Sequence, residues 1–274
     1  MATREYQGRR YRADSEEPIL DSLTIEEALQ ININGKAFTV TMRTPGDDSA
    51  LVRGLLHSEG IIKQSTFSPE ILLSKTNKDG VVTIVDVAIP KSELGEGYSN
   101  SRSLLSVSSC GICGRTELGE LGFSGVVENN EQIDASIIPS LFTKMNAFQK
   151  DFHQSGGTHA AAAFDISGKL LCSLEDIGRH NAVDKVIGSL INSENLKRAF
   201  CMTVSGRISY EIIIKSFKAK IPVLAAVSAP SSLAVDYAKE LGVTLFAFCR
   251  ENRSTCYSHT QRVKNILLKK SLIS

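Results

Sequence analysis

The sequence predicts a mixed α/β protein with a small β-rich N-terminal unit and a larger three-layer α/β domain. Two patterns carry this prediction. The first third of the chain contains pairs of strand-like segments separated by turn residues, which is typical of β-hairpins. The second half alternates apolar strand-like runs with helical patterns, which is typical of parallel strands joined by helices. With 274 residues, the chain is long enough for about two domains.

Composition narrows the class of protein. The hydrophobic fraction is 42%, which excludes wholesale disorder. The formal net charge of +1 excludes a bulk electrostatic binder of nucleic acid. No apolar run approaches the ~20 residues that cross a bilayer, and the polar start lacks a secretory signal. Six cysteines are too sparse for a disulfide scaffold, so we expect reduced thiols in a soluble cytoplasmic protein without membrane partners.

Residues 1–17 carry alternating charges and no apolar period, so a flexible tail is expected there. A small α+β domain is predicted over residues 18–97. Its first hairpin turns at Asn34-Gly35, because this dipeptide favours the tight turn between two strands. A second hairpin is predicted around the turn at residues 78–80.

A short helix is predicted between these two hairpins. Asp47 or Asp48 is a suitable capping residue at its start, and Gly60 is a suitable stop signal. Residues 98–125 follow as a Ser- and Gly-rich segment without a sustained period, which predicts a mobile loop. This loop contains the only closely spaced cysteine pair, Cys110 and Cys113.

The larger domain is predicted over residues 126–274. It opens with a helix that starts near Asp134 and carries an apolar stripe, and a hairpin follows that turns at Ser167-Gly168. Strands and helices then alternate to the end of the pattern, which favours a mainly parallel sheet with helices on its faces. The helical stripe consists of Ile138, Leu141, Phe142, Met145, Phe148 and Phe152.

Three late strands of this domain end in polar turns. In open α/β sheets, ligands bind beyond the carboxyl ends of the strands, and helix N-termini there favour anions. The pattern predicts a polyanionic, nucleotide-like ligand, with arginines offering bidentate phosphate contacts. The alternative is that these turns cap helices without any ligand. The turns contain Ser205, Gly206 and Arg207, then residues 228–232, then Phe248, Cys249, Arg250, Glu251, Asn252 and Arg253.

Two further segments are candidates for the same ligand. Gly156, Gly157 and Thr158 would let a backbone approach a ligand closely, and His159 is a candidate contact or acid/base. Residues 175–181 are dense in functional side chains, and a functional interpretation places Arg179 and His180 at the rim of the pocket. The alternative is that Asp176 caps a helix and forms salt bridges to nearby cations. A triad of Ser205, His159 and Asp176 has little support, because the strained turn of a nucleophilic serine is missing.

The cysteine pair admits three chemistries. A structural zinc site would need two more ligands, and no second close pair exists. A thioredoxin-type dithiol should follow a strand and open a helix, whereas this pair follows an irregular stretch. A thiolate that accepts sulfur as a persulfide needs an accessible cysteine on a movable arm. The spacing alone does not choose among them.

Taken together, the motifs resemble those of the formate dehydrogenase accessory sulfurtransferase family, FdhD, over nearly the whole chain. So many motifs in the same order make the resemblance specific. The matching stretches are VTMRTPGDD (40–48), HSEGII (57–62), CGICG (110–114), SGGTHAAAAFD (155–165), EDIGRHNAVDKVIG (175–188), SGRISYE (205–211), SAPSSLAV (228–235) and FCRENR (248–253).

The resemblance implies a sulfur carrier that receives persulfide sulfur from a cysteine desulfurase. It implies delivery to the bis-molybdopterin guanine dinucleotide form of the molybdenum cofactor, which formate dehydrogenase needs. It further implies that Cys110 carries the persulfide with help from Cys113, and that the turn at residues 248–253 contacts the cofactor, for which GDP is a partial mimic. A cytidine-deaminase-like second domain and a homodimer are also implied.

The zinc signature of the deaminases is missing, so the resemblance implies no metal site of that kind. Two other functions remain as alternatives. A chaperone that only holds the molybdenum cofactor would need the pocket and not the thiols. A dithiol reductase would need a reversible Cys110–Cys113 couple.

Overall fold

The structure is a computed structural model that describes residues 2–64, 66–100, 125–251 and 253–264. The strands in these ranges are β1 (Thr3–Arg12), β2 (Ser15–Thr24), β3 (Glu27–Ile33), β4 (Lys36–Arg43), β5 (Glu70–Thr76), β6 (Val82–Ala88), β7 (His159–Phe164), β8 (Leu170–Asp176), β9 (Cys201–Val204), β10 (Val223–Ala226), β11 (Thr244–Arg250) and β12 (Arg253–Cys256). The helices are α1 (Asp48–Ser58), α2 (Glu96–Asn100), α3 (Ile138–Asn146), α4 (Lys150–Ser155), α5 (Arg179–Asn192), α6 (Tyr210–Lys218) and α7 (Ser232–Glu240). The mixed α/β class is therefore confirmed.

The start of the chain differs from the predicted tail. Strands β1 and β2 pair antiparallel from Thr3 opposite Thr24 to Arg12 opposite Ser15, as a long and mostly exposed hairpin. Its strands carry arginines opposite glutamates, including a 2.7 Å contact between Arg9 and Glu16. The prediction was wrong here because it relied on apolar periodicity. This hairpin is instead held by backbone pairing and cross-strand charge pairs.

The two predicted hairpins of the N-terminal unit are confirmed. They form one four-stranded sheet in the order β4-β3-β6-β5. Asn34 and Gly35 both have positive φ, as the tight two-residue turn requires. Helix α1 packs Leu51, Val52 and Leu56 against the sheet in a continuous apolar core. It begins after Asp47, which makes no capping hydrogen bond with its side chain.

The larger sheet has six strands in the order β12-β11-β10-β9-β7-β8. Only β9, β10 and β11 run parallel to one another, while β7, β8 and β12 pair antiparallel with their neighbours. The sheet is therefore mixed rather than mainly parallel, because both of its borders are hairpins. Apolar clusters cover its two faces, one containing α5 and α6 and the other containing α3.

The single helix predicted from Asp134 is broken in the structure. A 3₁₀ turn at Ala135–Ile137 precedes α3, and α4 is a separate short helix. Ile138, Leu141 and Met145 are buried as predicted, but Phe148 and Phe152 are exposed. The apolar stripe therefore belongs to α3 alone.

Helices α1 and α5 join the two sheets through a close crossing. A Cβ atom on Gly54 would lie 1.8 Å from the carbonyl oxygen of Asp184. A Cβ atom on Gly188 would lie 1.9 Å from the carbonyl oxygen of Ala50. Both glycines are needed because the backbones themselves are in contact. Across the described ranges, no helix is long and apolar enough to cross a membrane.

Candidate functional site

The three polar turns predicted to lie together do meet at one edge of the six-stranded sheet. Strands β9, β10 and β11 are parallel, so their carboxyl ends share that edge. The amide of Ile208 donates to the carbonyl of Ala229 at 3.1 Å, and the amide of Phe248 donates to the carbonyl of Ser228 at 3.3 Å. These bonds hold the three turns side by side.

His159 lies at the same edge, although its strand runs in the opposite direction to β9. It opens β7, which pairs antiparallel with β9, so its ring lies beside the end of β9. Its Nδ1 is 3.4 Å from the hydroxyl of Ser205. That hydroxyl also accepts the amide hydrogen of Ala160 at 2.9 Å, which fixes its position. His159 and the Ser205 turn, two candidates for the same ligand, are therefore adjacent in the structure.

Gly206 separates His159 from Arg179. A Cβ atom on Gly206 would lie 3.2 Å from Nδ1 of His159 and 3.4 Å from Cδ of Arg179. The glycine therefore lets the side chains of His159 and Arg179 pack closely against the backbone, and Arg207 follows on the exposed side. Burial lowers the pKa of His159, and the positive charge of Arg179 lowers it further. This part of the edge is electropositive around a neutral imidazole.

The turn between β11 and β12 has an unusual backbone. Phe248 and Glu251 both have positive φ, and the strand register shifts between Ala247 and Arg250. Such backbone strain is often found at ligand sites. Arg250 and Arg253 are exposed, so both guanidinium groups are accessible to a ligand.

Several residues predicted to contact the ligand have packing or hydrogen-bonding roles within the protein. Cys249 is 2% exposed and packs in the core on the α3 side of the sheet. The buried Thr158 donates its hydroxyl hydrogen to the carboxylate of Glu175 at 2.7 Å. A Cβ atom on Gly157 would lie 2.6 Å from Oγ1 of Thr24, so the N-terminal hairpin explains that glycine. Gly156 ends α4 with a positive φ.

Asp176 belongs to a buried ion pair and not to a triad with His159. Its carboxylate lies 2.8 Å from Nζ of Lys185, and it accepts the amide hydrogens of Thr44 and Gly178. Nζ of Lys185 also donates to the carbonyl of Thr44 at 2.9 Å. The motif at residues 40–48 therefore docks onto the motif at residues 175–188. The interpretation of Asp176 as a helix-capping and ion-pairing residue is confirmed.

The sequence indicated His180 as a candidate for the rim of the pocket, but it did not predict that this side chain is buried or which residues it contacts. His180 is 4% exposed, and its Nε2 lies 3.2 Å from the hydroxyl of Ser209 and 3.8 Å from the carboxylate of Glu211. The neighbouring imidazole of His180 lowers the pKa of Glu211 to about 2. The motifs at residues 175–188 and 205–211 are both rich in polar residues, but nothing in the sequence indicated that the two motifs contact each other.

Cys110, Cys113 and Asn252 lie outside the described residues, and so does most of the predicted loop. The described cysteines are Cys172, Cys201, Cys249 and Cys256. Burial raises the pKa of Cys172 to about 11 and that of Cys249 to about 12, and it also raises the pKa of Cys201 and Cys256. These thiols are therefore poor nucleophiles. In the part of the chain that the structure describes, no three His, Cys, Asp or Glu side chains are grouped to hold a metal ion.

The chain is similar to known proteins over most of its length. The family model described as FdhD/NarQ matches residues 24–264. A relative from Picrophilus torridus, named sulfur carrier protein FdhD, is 40% identical over 256 residues, covering 89% of this chain and 93% of its own. A relative of the same name from Mycolicibacterium paratuberculosis is 41% identical over 251 residues, covering 89% of this chain and 92% of its own.

A solved structure has a similar fold. It is the crystal structure of a Desulfotalea psychrophila protein named as a formate dehydrogenase accessory protein. The two chains superimpose with a TM-score of 0.75 and 22% sequence identity, over 96% of this chain and 100% of the other. At this level of identity the likeness concerns the fold alone.

Proposed function

The chain belongs to the FdhD/NarQ family, and from this premise we propose that it is a sulfur carrier in the maturation of formate dehydrogenase. It receives persulfide sulfur from a cysteine desulfurase and transfers it to the bis-molybdopterin guanine dinucleotide form of the molybdenum cofactor. The observation that carries the proposal is the family match over residues 24–264, which includes Cys110 and Cys113. The names of the relatives support the sulfur-carrier role.

The thiol chemistry is assigned to Cys110 and Cys113. The Cys110 thiolate attacks the terminal sulfur of the desulfurase persulfide, which forms Cys110–S–SH and releases the desulfurase thiolate. Attack of the Cys113 thiolate on Cys110 Sγ then releases hydrosulfide and leaves a Cys110–Cys113 disulfide. A thiol reductant must regenerate the two thiols. The raised pKa values of the buried cysteines support the choice of this pair.

The sheet edge is assigned to the molybdenum cofactor as the substrate. Its guanine dinucleotide carries a pyrophosphate, and the edge offers Arg207, Arg250 and Arg253 as exposed cations. Turns at the carboxyl ends of parallel strands are the usual position for such ligands. In this proposal the larger domain is cytidine-deaminase-like, the protein is a cytoplasmic homodimer, and the partners are cysteine desulfurase and formate dehydrogenase.

Replacing Cys110 with alanine should abolish activation of formate dehydrogenase in cells that lack the native protein. The variant has no thiolate at the position where the persulfide forms. Activity of the molybdoenzyme is the readout. In parallel, mass spectrometry of the wild-type protein mixed with desulfurase and cysteine should find added sulfur on the Cys110 peptide.

The buried thiols provide the matched control for this experiment. Cys172→Ala keeps a small apolar side chain on β8, away from the predicted contacts, and should retain activation, and the Cys172 peptide should gain no sulfur. Full activation by Cys110→Ala would refute the sulfur-carrier mechanism. Activation that survives loss of both Cys110 and Cys113 would favour the cofactor-holding chaperone, whereas turnover of a disulfide substrate would favour the dithiol reductase.

GDP should bind the intact protein, and the double replacement Arg250→Ala and Arg253→Ala should weaken it by about tenfold or more. Each guanidinium offers a charge-assisted contact to phosphate, and removal of two such contacts has an effect of this order. Titration calorimetry measures the affinity. Arg9→Ala and Arg12→Ala, two exposed arginines of the N-terminal hairpin, form the control with the same change of charge. Equal affinities in the two double variants, or no binding by the wild type, would refute the predicted pocket.

A further inference from the structure

The hairpin of β1 and β2 is long and has its attachment to the larger domain at its base. Each strand has 10 residues, and the two strands pair without a register shift. At the base, the hydroxyl of Thr3 lies 3.0 Å from the side-chain oxygen of Gln154, and that of Thr24 lies 2.6 Å from the hydroxyl of Ser155. A two-stranded hairpin is only marginally stable in water by itself. A further surface that covers it is therefore expected.

Four large apolar side chains of this hairpin are exposed, namely Tyr6, Tyr11, Leu20 and Leu23. Because successive side chains of a strand point to opposite faces, the register places Tyr6 and Leu23 on one face and Tyr11 and Leu20 on the other. The first of these is here named the hairpin face. It consists of the even-numbered residues of β1 from Arg4 to Arg12 and the odd-numbered residues of β2 from Ser15 to Leu23.

Gly8 lies in the middle of the hairpin face, opposite Ile19. A glycine inside a strand is less favourable than alanine, and it often marks a bulge or the close approach of another backbone. The continuous register excludes a bulge at this position. A Cβ atom on Gly8 would meet Cγ1 of Ile19 at 3.4 Å, which is an ordinary contact, so the folded chain has room for alanine. The glycine therefore indicates a close approach from outside the chain.

The charges of the hairpin are separated between its two strands. Strand β1 carries four arginines and one glutamate, a net charge of +3, whereas β2 carries two glutamates and one aspartate, a net charge of −3. Edge-to-edge pairing of β1 with β1, or of β2 with β2, would place like charges opposite each other. Pairing of a β1 edge with a β2 edge would leave further edges open and would give filaments. Face-to-face stacking with β1 over β2 remains as the complementary closed arrangement.

A two-fold axis parallel to the strands produces this stacking. Each residue of the hairpin face then lies over the residue that it pairs with in its own hairpin, but on the second copy. Arg10 meets the second copy's Glu17, and Gly8 provides room for the second copy's Ile19. The opposite face of the hairpin has neither a glycine nor a directly opposed pair of unlike charges. These two features therefore select the hairpin face.

We propose that the hairpin face is a self-association surface, on which two copies of this chain stack with β1 of each over β2 of the other. The inference rests on the proposed function in one respect, since it names the surface of the homodimer. All but the last residue of the hairpin precede residue 24, where the FdhD/NarQ match begins. Specific interfaces use about 20–30 residues per partner, and this face has about half of that number, so the dimer should dissociate at about micromolar concentrations.

Charge reversal across the two-fold axis tests the arrangement. Sedimentation velocity of the full chain measures the dissociation constant over concentrations of about 1–100 µM. Arg10→Glu and Glu17→Arg should each raise this constant by about tenfold or more, because each variant places like charges together twice in the dimer. An equimolar mixture of the two variants should recover about the wild-type affinity. Each variant still has like charges within its own hairpin, so this recovery can come only from contacts between chains.

The opposite face provides the matched control. Arg9→Glu and Glu16→Arg reverse the same charges there and break the 2.7 Å contact within the hairpin, but they should leave the dissociation constant unchanged. Gly8→Ala should fold like the wild type by circular dichroism and should weaken association several-fold, since its methyl group occupies the space offered to Ile19. Gln7→Ala, at an exposed position of the opposite face, should have no effect on association.

The outcomes separate this inference from the proposed function. If the mixture of Arg10→Glu and Glu17→Arg does not recover, or if Arg9→Glu weakens association equally, the hairpin face is not the interface. A homodimer through another surface would then remain, and so would the sulfur transfer that Cys110→Ala tests. A wild-type chain that is monomeric at every concentration would overturn both the hairpin face and the homodimer.

Discussion

Replacing Gly188 with alanine should destabilise the protein by about 3 kcal/mol or more. The new Cβ atom would lie 1.9 Å from the carbonyl oxygen of Ala50. No side-chain rotation can relieve this clash, because the Cβ position is fixed by the backbone of α5 and the oxygen belongs to the backbone of α1. Alanine would ordinarily stabilise a helix by about 1 kcal/mol relative to glycine. The clash outweighs this gain, because α1 and α5 must separate to accommodate one methyl group.

Urea unfolding followed by circular dichroism measures the effect. Asn192→Ala, an exposed position on the same helix, is the control and should change the free energy of unfolding by less than about 0.5 kcal/mol. Gly54→Ala should behave like Gly188→Ala, since its Cβ atom would meet the Asp184 carbonyl oxygen at 1.8 Å. A Gly188→Ala variant as stable as the control would contradict the close crossing.

The crossing also matters for the candidate site. Helix α5 carries Arg179 and His180 in its first turn, and α6 carries Glu211, whose carboxylate lies 3.8 Å from Nε2 of His180. A displacement of α5 would therefore move Arg179 and His180 relative to the sheet edge. The N-terminal unit, although it contributes none of the predicted ligand contacts, thus holds the helix that packs beside them.

Local signals predicted the parts of the fold that depend on neighbouring residues. The Asn34-Gly35 turn was predicted because its two adjacent residues readily adopt the positive φ values that the turn requires. The edge formed by Ser205, Ser228 and Phe248 was found because strand direction alone places these ends together. Short-range rules suffice in both cases, since no long-range packing is needed to apply them.

The features that were missed or wrongly predicted are ones that apolar periodicity alone does not determine. The β1–β2 hairpin has charged strands that pair through the backbone, so apolar periodicity gave no signal. His180 and Ser209 are 29 positions apart and meet only because β9 returns the chain to the same edge. The single helix predicted from Asp134 failed because the stripe continued in sequence past residue 146, where the burial of apolar side chains ends.

Lys185 was not singled out in the sequence, and it leads to the second large effect. A lysine next to the apolar stripe of α5 would ordinarily be exposed, yet this one is 1% exposed. Its ammonium group lies 2.8 Å from Asp176 and donates to the carbonyls of Thr44 and Glu175. Buried charges of this kind are retained only with a full set of partners.

Lys185→Met should therefore destabilise the protein by about 3–5 kcal/mol. The substitution keeps the volume of the side chain but leaves the carboxylate of Asp176, which is 0% exposed, without its counter-ion. The loss of the bond to Thr44 would also loosen the loop that docks the N-terminal unit onto the start of α5. Urea unfolding provides the measurement, and GDP affinity in the remaining folded protein should fall as well.

The exposed pair of Arg9 and Glu16 is the matched control for Lys185→Met. Its nitrogen–oxygen distance is 2.7 Å, nearly that of the buried pair, but both side chains are more than half exposed. Water and salt screen such a pair, so Arg9→Met should lower stability by less than about 1 kcal/mol. The two variants thus compare one distance at two degrees of burial. Equal losses of unfolding free energy in the two variants would mean that burial does not make Asp176 dependent on Lys185. A much larger loss for Lys185→Met would mean that the buried carboxylate of Asp176 destabilises the protein when its counter-ion is removed.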